Sequence, residues 1–309
     1  MELHQQIDIL WILVCSLFVL FMQAGFCCLE SGLSRSKNSI HVAIKNVVDV
    51  SIVGILYWIF GFGLMFGTTT GGLIGTTHFP FTNSGSDIFL SAFFLFQLML
   101  CVTAATIASG ASAERMRFTA YLILSIVLGG IIYPVFGHWA WTSHFTGKAP
   151  GWLESLGFRD FSGSTVVHSL GAWAALASIM IIGPRIGKFD KQSGSKKLKG
   201  HNLTLATTGV FILWMGWFGF NGGSEFGFTS HVPQIFINTF LASACGAITM
   251  LVWQFYQKKQ IEIENILNGL LAGLVASSAS CDAVSPAAAV VIGIIAAIVM
   301  EAGVWVLER

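Results

Sequence analysis

Apolar residues fall along this chain in nine long runs separated by polar stretches, at 7–28, 46–67, 88–109, 118–137, 162–183, 203–221, 232–256, 264–280 and 286–306. A hydrocarbon layer about 30 Å thick needs roughly 20 helical residues to cross it, and each run is near that length. The runs at 203–221 and 264–280 are the shortest. No run alternates apolar and polar positions, as a barrel strand of about 10 residues would. Backbone groups in lipid must be bonded within their own segment, so the pattern predicts an all-α integral membrane bundle of about nine transmembrane helices.

Composition agrees. Of 309 residues, 54% are hydrophobic and 10% charged, and mean hydropathy is +0.75. A soluble domain carries about a quarter charged residues, so a soluble fold is excluded. The polar stretches are too short to hold a separate domain; the longest, 68–87 and 138–161, are loops. Residues 1–309 are therefore expected to form one transmembrane domain. Small residues at Gly61 and Gly63, Gly110 and Ala113, and Ala272 and Ala276 are candidates for close helix approach.

Basic residues set the orientation, because they collect in loops on the inner side. With the N-terminus outside, Arg35, Lys37 and Lys45 fall inside, as do Arg115 and Arg117, the six from Arg185 to Lys199 including Lys191, then Lys258, Lys259 and Arg309. Those are 14 of the 16 Lys and Arg; only Lys148 and Arg159 fall outside. The expected topology is N-out and C-in, in the plasma (cell inner) membrane, with no cleaved leader because no basic residue precedes the first run. A net charge of +1 identifies no partner, and nothing suggests nucleic acid. The basic run Lys196 to Lys199 marks an inner loop and can meet anionic lipid. Cys15, Cys27, Cys28, Cys101, Cys245 and Cys281 lie in or at the ends of runs without a CxxC pair or zinc spacing. They read as packing residues.

Three groups of residues carry chemistry. Asp160 precedes the fifth run and is placed to accept hydrogen bonds from its first free N–H groups at the positive helix end. Whether capping is all that it does stays open. His168 is eight residues further, about 12 Å along a helix, near mid-membrane. It is either bonded to a neighbouring helix or lines a polar path, since ionisable groups at that depth are costly. In WMGWFGFNGGS, Trp214 to Ser224, Trp217 and Phe220 share one face of the sixth run, and Asn221 to Ser224 leave a hydroxyl and carbonyls at its outer end. Interfacial aromatic belts are the alternative explanation. HWAW, His138 to Trp141, closes the fourth run, and Phe96 and Gln97 stand in the third. A Trp face attracts a desolvated cation by about 2 kcal/mol.

DFSGSTVVH running to GPR at Gly183 to Arg185, GWFGFNGGS at Gly216 to Ser224, ESGLSRSKN at Glu30 to Asn38, ASAERMRF at Ala111 to Phe118 and AGLVASSASCDAVSP at Ala272 to Pro286 together resemble the ammonium transporter (Amt/Mep/Rh) family. The similarity runs in order through essentially the whole chain.

The resemblance implies a homotrimer with one narrow pore per subunit and inverted five-helix halves. It assigns Trp141 and Ser224 to an outer ammonium site, with Asp160 beneath it and Phe96 beside it. Phe220 would be the inner ring of a stacked gate, Trp217 a pore-lining Trp and His168 the first of two pore histidines. It implies no catalytic residue, no metal and no cofactor.

Two departures stand out. Leu100 falls among the pore-lining positions where an outer gate ring is expected. Family members have eleven spans, the tenth carrying the second pore histidine, whereas nine are found here and the repeat is incomplete. Two functions follow as expectations. In the first, the chain is an ammonium sensor passing a signal to a cytoplasmic output domain beyond residue 309, such as a histidine kinase or diguanylate cyclase. In the alternative it is an ammonium transporter or channel. No nucleophile elbow or HExxH motif is present, so enzymatic activity within the chain is not expected.

Overall fold

The computed structural model describes residues 2–83, 85, 87–147, 150–190, 194–258 and 260–308. Of the residues used above for orientation, Lys148, Lys191, Lys259 and Arg309 lie outside the described residues.

All nine apolar runs are helices. They are α1 Leu3–Leu33, α2 Ser36–Phe66, α3 Ile88–Ser112, α4 Phe118–Trp141, α5 Ser164–Ile182, α6 Leu203–Gly223, α7 Val232–Tyr256, α8 Ile263–Ser277 and α9 Pro286–Leu307. Among the described residues, eight are long and apolar enough to cross a membrane, while α8 has 15 residues.

Two boundaries differ from the sequence pattern. First, α2 begins at Ser36 rather than 46, so Lys45 belongs to a helix and not to an inner loop. Its ammonium group is buried and donates to Ser109 O at 3.2 Å and Ser112 Oγ at 3.0 Å on α3. It also lies 4.3 Å over the Tyr121 ring of α4. Lys45 lies just before the run and Asn46 and Asp49 lie within it, and all three have partners on other helices, so the polarity at which the run begins is internal to the bundle. Second, α8 stops at Ser277, and the chain beyond it is irregular. Its carbonyls are used by the segment before α5: Phe161 N–H donates to Ala279 O at 3.1 Å and Ser162 N–H to Ser278 O at 2.9 Å. Irregular backbone at such depth is tolerated when protein supplies its partners.

The bundle is organised by α1 and α6, which run antiparallel in close contact. A Cβ on Gly25 would sit 2.9 Å from Gly209 O, and one on Gly209 would sit 2.6 Å from Gly25 O. These two glycines, which are not among the small-residue pairs picked from the sequence, let α1 and α6 approach closely. Toward the outer end, Trp11 Nε1–H donates to Gly222 O at 2.9 Å. α1 packs on α2 and α3, and α6 packs on α7 and α8, the matched pairing of two related halves.

Loop contacts divide into two sets. Arg35 and Arg185 meet Glu114, His201 meets Ser34, and Lys197 meets Glu262 and, in the first turn of α8, Glu264, all on the basic side. On the other side Trp152 bonds Gly72, Arg159 pairs with Asp282, and Phe228 N–H donates to Asp8 at the start of α1. That separation is the one required by N-out and C-in.

Candidate functional site

Asp160 organises the site. Its Oδ1 accepts from Gly163 N–H at 2.9 Å and Ser164 N–H at 3.1 Å, and its Oδ2 accepts from Thr165 N–H at 2.7 Å and Val166 N–H at 2.9 Å. Four free N–H groups of a helix start are thereby satisfied by one carboxylate, which has about four acceptor positions. The helix can begin inside the protein only because of this cap. Its first turn, Ser164–Ser169, is widened to a π turn, a distortion common at functional sites. Ser164 Oγ ties that turn to α8 by donating to Val275 O, at 2.5 Å.

The Asp160 main chain also fixes Trp141. Its carbonyl accepts the indole N–H at 2.6 Å, which orients the ring at the end of α4. Trp141, Asp160 and Ser224 border one outer cavity of about 300 Å³. Ser224 Oγ donates to Phe220 O at 3.0 Å, which turns the hydroxyl's lone pairs outward for other donors.

One turn inward of Ser224, Phe220 is fully buried. Its ring lies 5.3 Å from that of His168, and the Trp217 ring lies 4.9 Å from His168 on a nearly parallel plane. Trp217 is anchored by an N–H bond to Ser278 Oγ at 2.8 Å. His168 Nε2 has no hydrogen-bond partner, although the residue is only 5% exposed. The bland alternative for His168, a bond to a neighbouring helix, is thus not seen at this nitrogen.

Phe96 is fully buried on α3 and packs against Gly223, at the end of α6. Leu100 is buried four residues further along α3 and does not border the outer cavity. Gln97 is buried with its Oε1 unpartnered. Within HWAW, Ala140 and Trp141 reach the site and the other two do not. His138 is locked between Met65 O and Thr69 Oγ1, each at 2.8 Å, and Trp139 bonds Leu73 O.

The sequence pattern missed most of the cavity wall. His144, Glu154, Phe158, Arg159, Phe161 and Phe226 also line the cavity, and all of them stand outside any apolar run, His144 and Glu154 on the short helices Ser143–Thr146 and Trp152–Ser155. It missed as well a polar network nearer the inner side. Glu30 accepts from Ser109 Oγ at 2.8 Å and from Asn46 Nδ2 at 3.4 Å, and the Thr106 hydroxyl lies 2.9 Å from Gln23 Oε1 and 3.0 Å from Asp49 Oδ2. The signal was present, since polar residues inside apolar runs are costly unless they are used. Among the described residues no group of three or more His, Cys, Asp or Glu is arranged to hold a metal ion.

With this geometry in hand, comparison with known proteins is decisive. The model of the Ammonium Transporter Family matches residues 10–309. The chain belongs to the Ammonium Transporter Family. A Synechocystis sp. relative named for ammonium transport is 52% identical over 291 residues, covering 93% of this chain and 54% of the relative. The ammonium transporter Amt2 of Archaeoglobus fulgidus is 41% identical over 316 residues, covering 98% of this chain and 66% of that protein. The chain thus spans about half to two thirds of these curated relatives. Among solved structures, a Sensor Amt Protein superposes with a TM-score of 0.96 at 40% identity, covering 99% of this chain and 76% of that one. Candida albicans Mep2 gives 0.84 at 28% identity, covering 95% and 65%. The fold is that of Amt/Mep proteins, all-α and membrane-embedded, and this family member is a multi-pass plasma membrane protein.

Proposed function

We propose that this chain binds ammonium in the outer cavity and passes it inward as an ammonium transporter. The observation that carries the reading is the cavity bordered by Trp141, Asp160 and Ser224, continued inward by Phe220, His168 and Trp217. Ammonium is a small cation with four N–H donors, so recognition needs a ring face and oxygen acceptors. Trp141 supplies the ring and Ser224 an acceptor. Asp160 has its acceptor positions occupied by backbone N–H groups, so it contributes negative charge and shape rather than a direct bond. Beyond the cavity, Phe220 blocks the straight route and His168 sits among apolar rings. A cation gains little there, so an ion that leaves its proton outside would pass as neutral ammonia beside the unpartnered His168 Nε2. The relatives named for ammonium transport support this reading.

A second reading, an ammonium sensor coupled to a cytoplasmic output domain, is favoured by the likeness to the Sensor Amt Protein. A sensor would use the same outer site, and its bound cation would have to favour one of two helix arrangements by a difference in affinity. In either case a homotrimer is the proposed assembly.

The test is to reconstitute the 309-residue protein in proteoliposomes and measure radiolabelled methylammonium uptake beside a binding titration. Saturable uptake with binding supports the transporter, and binding without uptake supports the sensor. If the protein neither binds nor takes up methylammonium, both readings are wrong.

A further inference from the structure

Phe226 occupies an unusual position. It follows α6 by three residues, in a turn closed by its own N–H donating to Gly223 O at 3.0 Å. Its backbone φ is +54°, the left-handed region that a bulky side chain rarely adopts. Such strain persists only where the surroundings over-determine it. Here they do. The next residue, Gly227, lies tight against Asp8, whose carboxylate a Cβ would displace, coming 2.8 Å from Oδ1. Phe228 N–H then donates to that same oxygen at 2.9 Å, and the Phe228 ring packs on Trp11 at 5.1 Å. The loop is clamped to α1, and the clamp throws the Phe226 ring over the outer cavity.

What the ring meets there is a chain of aromatic contacts. It lies 6.0 Å from Phe96 and 5.8 Å from His144, edge to face in both cases. His144 in turn stacks on Trp141 at 5.8 Å. Phe226 and His144 border the same cavity as Trp141, Asp160 and Ser224, whereas Leu100 offers neither a π face nor a place on the cavity wall.

We propose that Phe226 is a specificity-determining wall of the outer site, giving a desolvated alkylammonium-type cation a second ring face beside that of Trp141. This rests on the proposed ammonium-binding function and adds to it a residue supplied by a loop. A ring attracts a cation through its quadrupole, which an aliphatic side chain of similar bulk cannot do. The contribution therefore belongs to the ring and not to the volume that it fills.

The experiment titrates methylammonium into the purified 309-residue protein, unaltered and as Phe226→Leu and Phe226→Tyr, with thermal melting of each. Leucine keeps most of the bulk, and tyrosine keeps the ring. The expected result is an affinity lowered about fivefold or more in Phe226→Leu, in line with the size of cation–π attraction, and retained to within about twofold in Phe226→Tyr. Unchanged affinity in Phe226→Leu overturns the inference, and so does an equal loss in both variants, which would mean that the residue only supports the loop. Absence of binding by the unaltered protein overturns the proposed function itself, and this inference with it.

Discussion

The imidazole of His168 lies 4.9 Å from the indole of Trp217, with 24° between the ring planes. The indole N–H is held by Ser278, so Trp217 is fixed from behind and presents its face to the histidine. This stacking, rather than a hydrogen bond at Nε2, orients His168 inside the bundle.

Replacing His168 by alanine should therefore leave the outer site intact while damaging the path beneath it. The expected outcome is methylammonium binding within about twofold of the unaltered protein, and uptake lowered at least about tenfold, equivalent to about 1.4 kcal/mol on the barrier. Parallel titration and proteoliposome uptake measure the two quantities. A matching loss of binding would place His168 in the outer site instead.

Trp141→Ala should weaken ammonium binding by roughly 1 to 2 kcal/mol through loss of cation–π attraction. Its indole also bonds the Asp160 carbonyl, so Trp141→Phe is the cleaner companion. It keeps a ring, though a smaller one, and loses that bond. Calorimetric titration should rank affinities as unaltered, then Trp141→Phe, then Trp141→Ala; equal affinities in all three would exclude a ring contribution.

Asp160→Ala removes the acceptor for four N–H groups at the start of α5. One lost cap costs about 1 kcal/mol, and a buried group left unbonded costs about 1 to 3 kcal/mol. A loss of at least about 2 kcal/mol is expected, seen as a clearly lower melting temperature in detergent. Asp160→Asn, with one acceptor oxygen, should fall between the two. Melting unaffected by Asp160→Ala would show that other groups cap the helix.

Acid should loosen the inner face. Burial alone would raise the pKa of Glu114, but the Arg35 N–H bonds, at 2.5 Å from the main chain and 2.8 Å from the side chain, together with the Arg35 and Arg185 charges, outweigh it. The carboxyl is thus held below its ordinary value of 4.5. A lowered acid pKa contributes stability that is fully present above the unfolded value and is lost as pH falls through the folded one. The melting temperature should drop as pH is taken below about 4.5, the unfolded value, and Glu114→Gln should be less stable at neutral pH with a flatter acid profile. Identical profiles for the two proteins would exclude Glu114 as the group responsible.

Much of the architecture was legible because a bilayer imposes a simple rule. Nine apolar runs gave nine helices, and the basic residues separated the two faces. The rule failed where polar groups found partners inside the protein. The second run begins at 46 in the sequence pattern, just after Lys45, yet α2 begins at Ser36 and carries Lys45, Asn46 and Asp49 together because Ser109, Ser112, Glu30 and Thr106 answer them. The residues of α8 past Ser277 read as apolar and helical, yet their carbonyls are taken by the segment before α5.

The candidate site divides in the same way. Asp160 as a helix cap, His168 at depth and the ring face of Trp217 and Phe220 follow from spacing along single helices, and spacing is local. The grouping of Trp141, Asp160 and Ser224 comes from the family resemblance and not from spacing; that Phe226 and His144 join them from outside the apolar runs, and that Gly25 meets Gly209, are relations between segments far apart in the chain. The sequence by itself determined which segments enter the membrane, in which direction, and where each helix starts its polar chemistry, because hydropathy and capping act over a few residues. Only the tertiary structure decided which of those side chains meet, since that depends on how closely neighbouring helices approach and on where the loops between them are clamped.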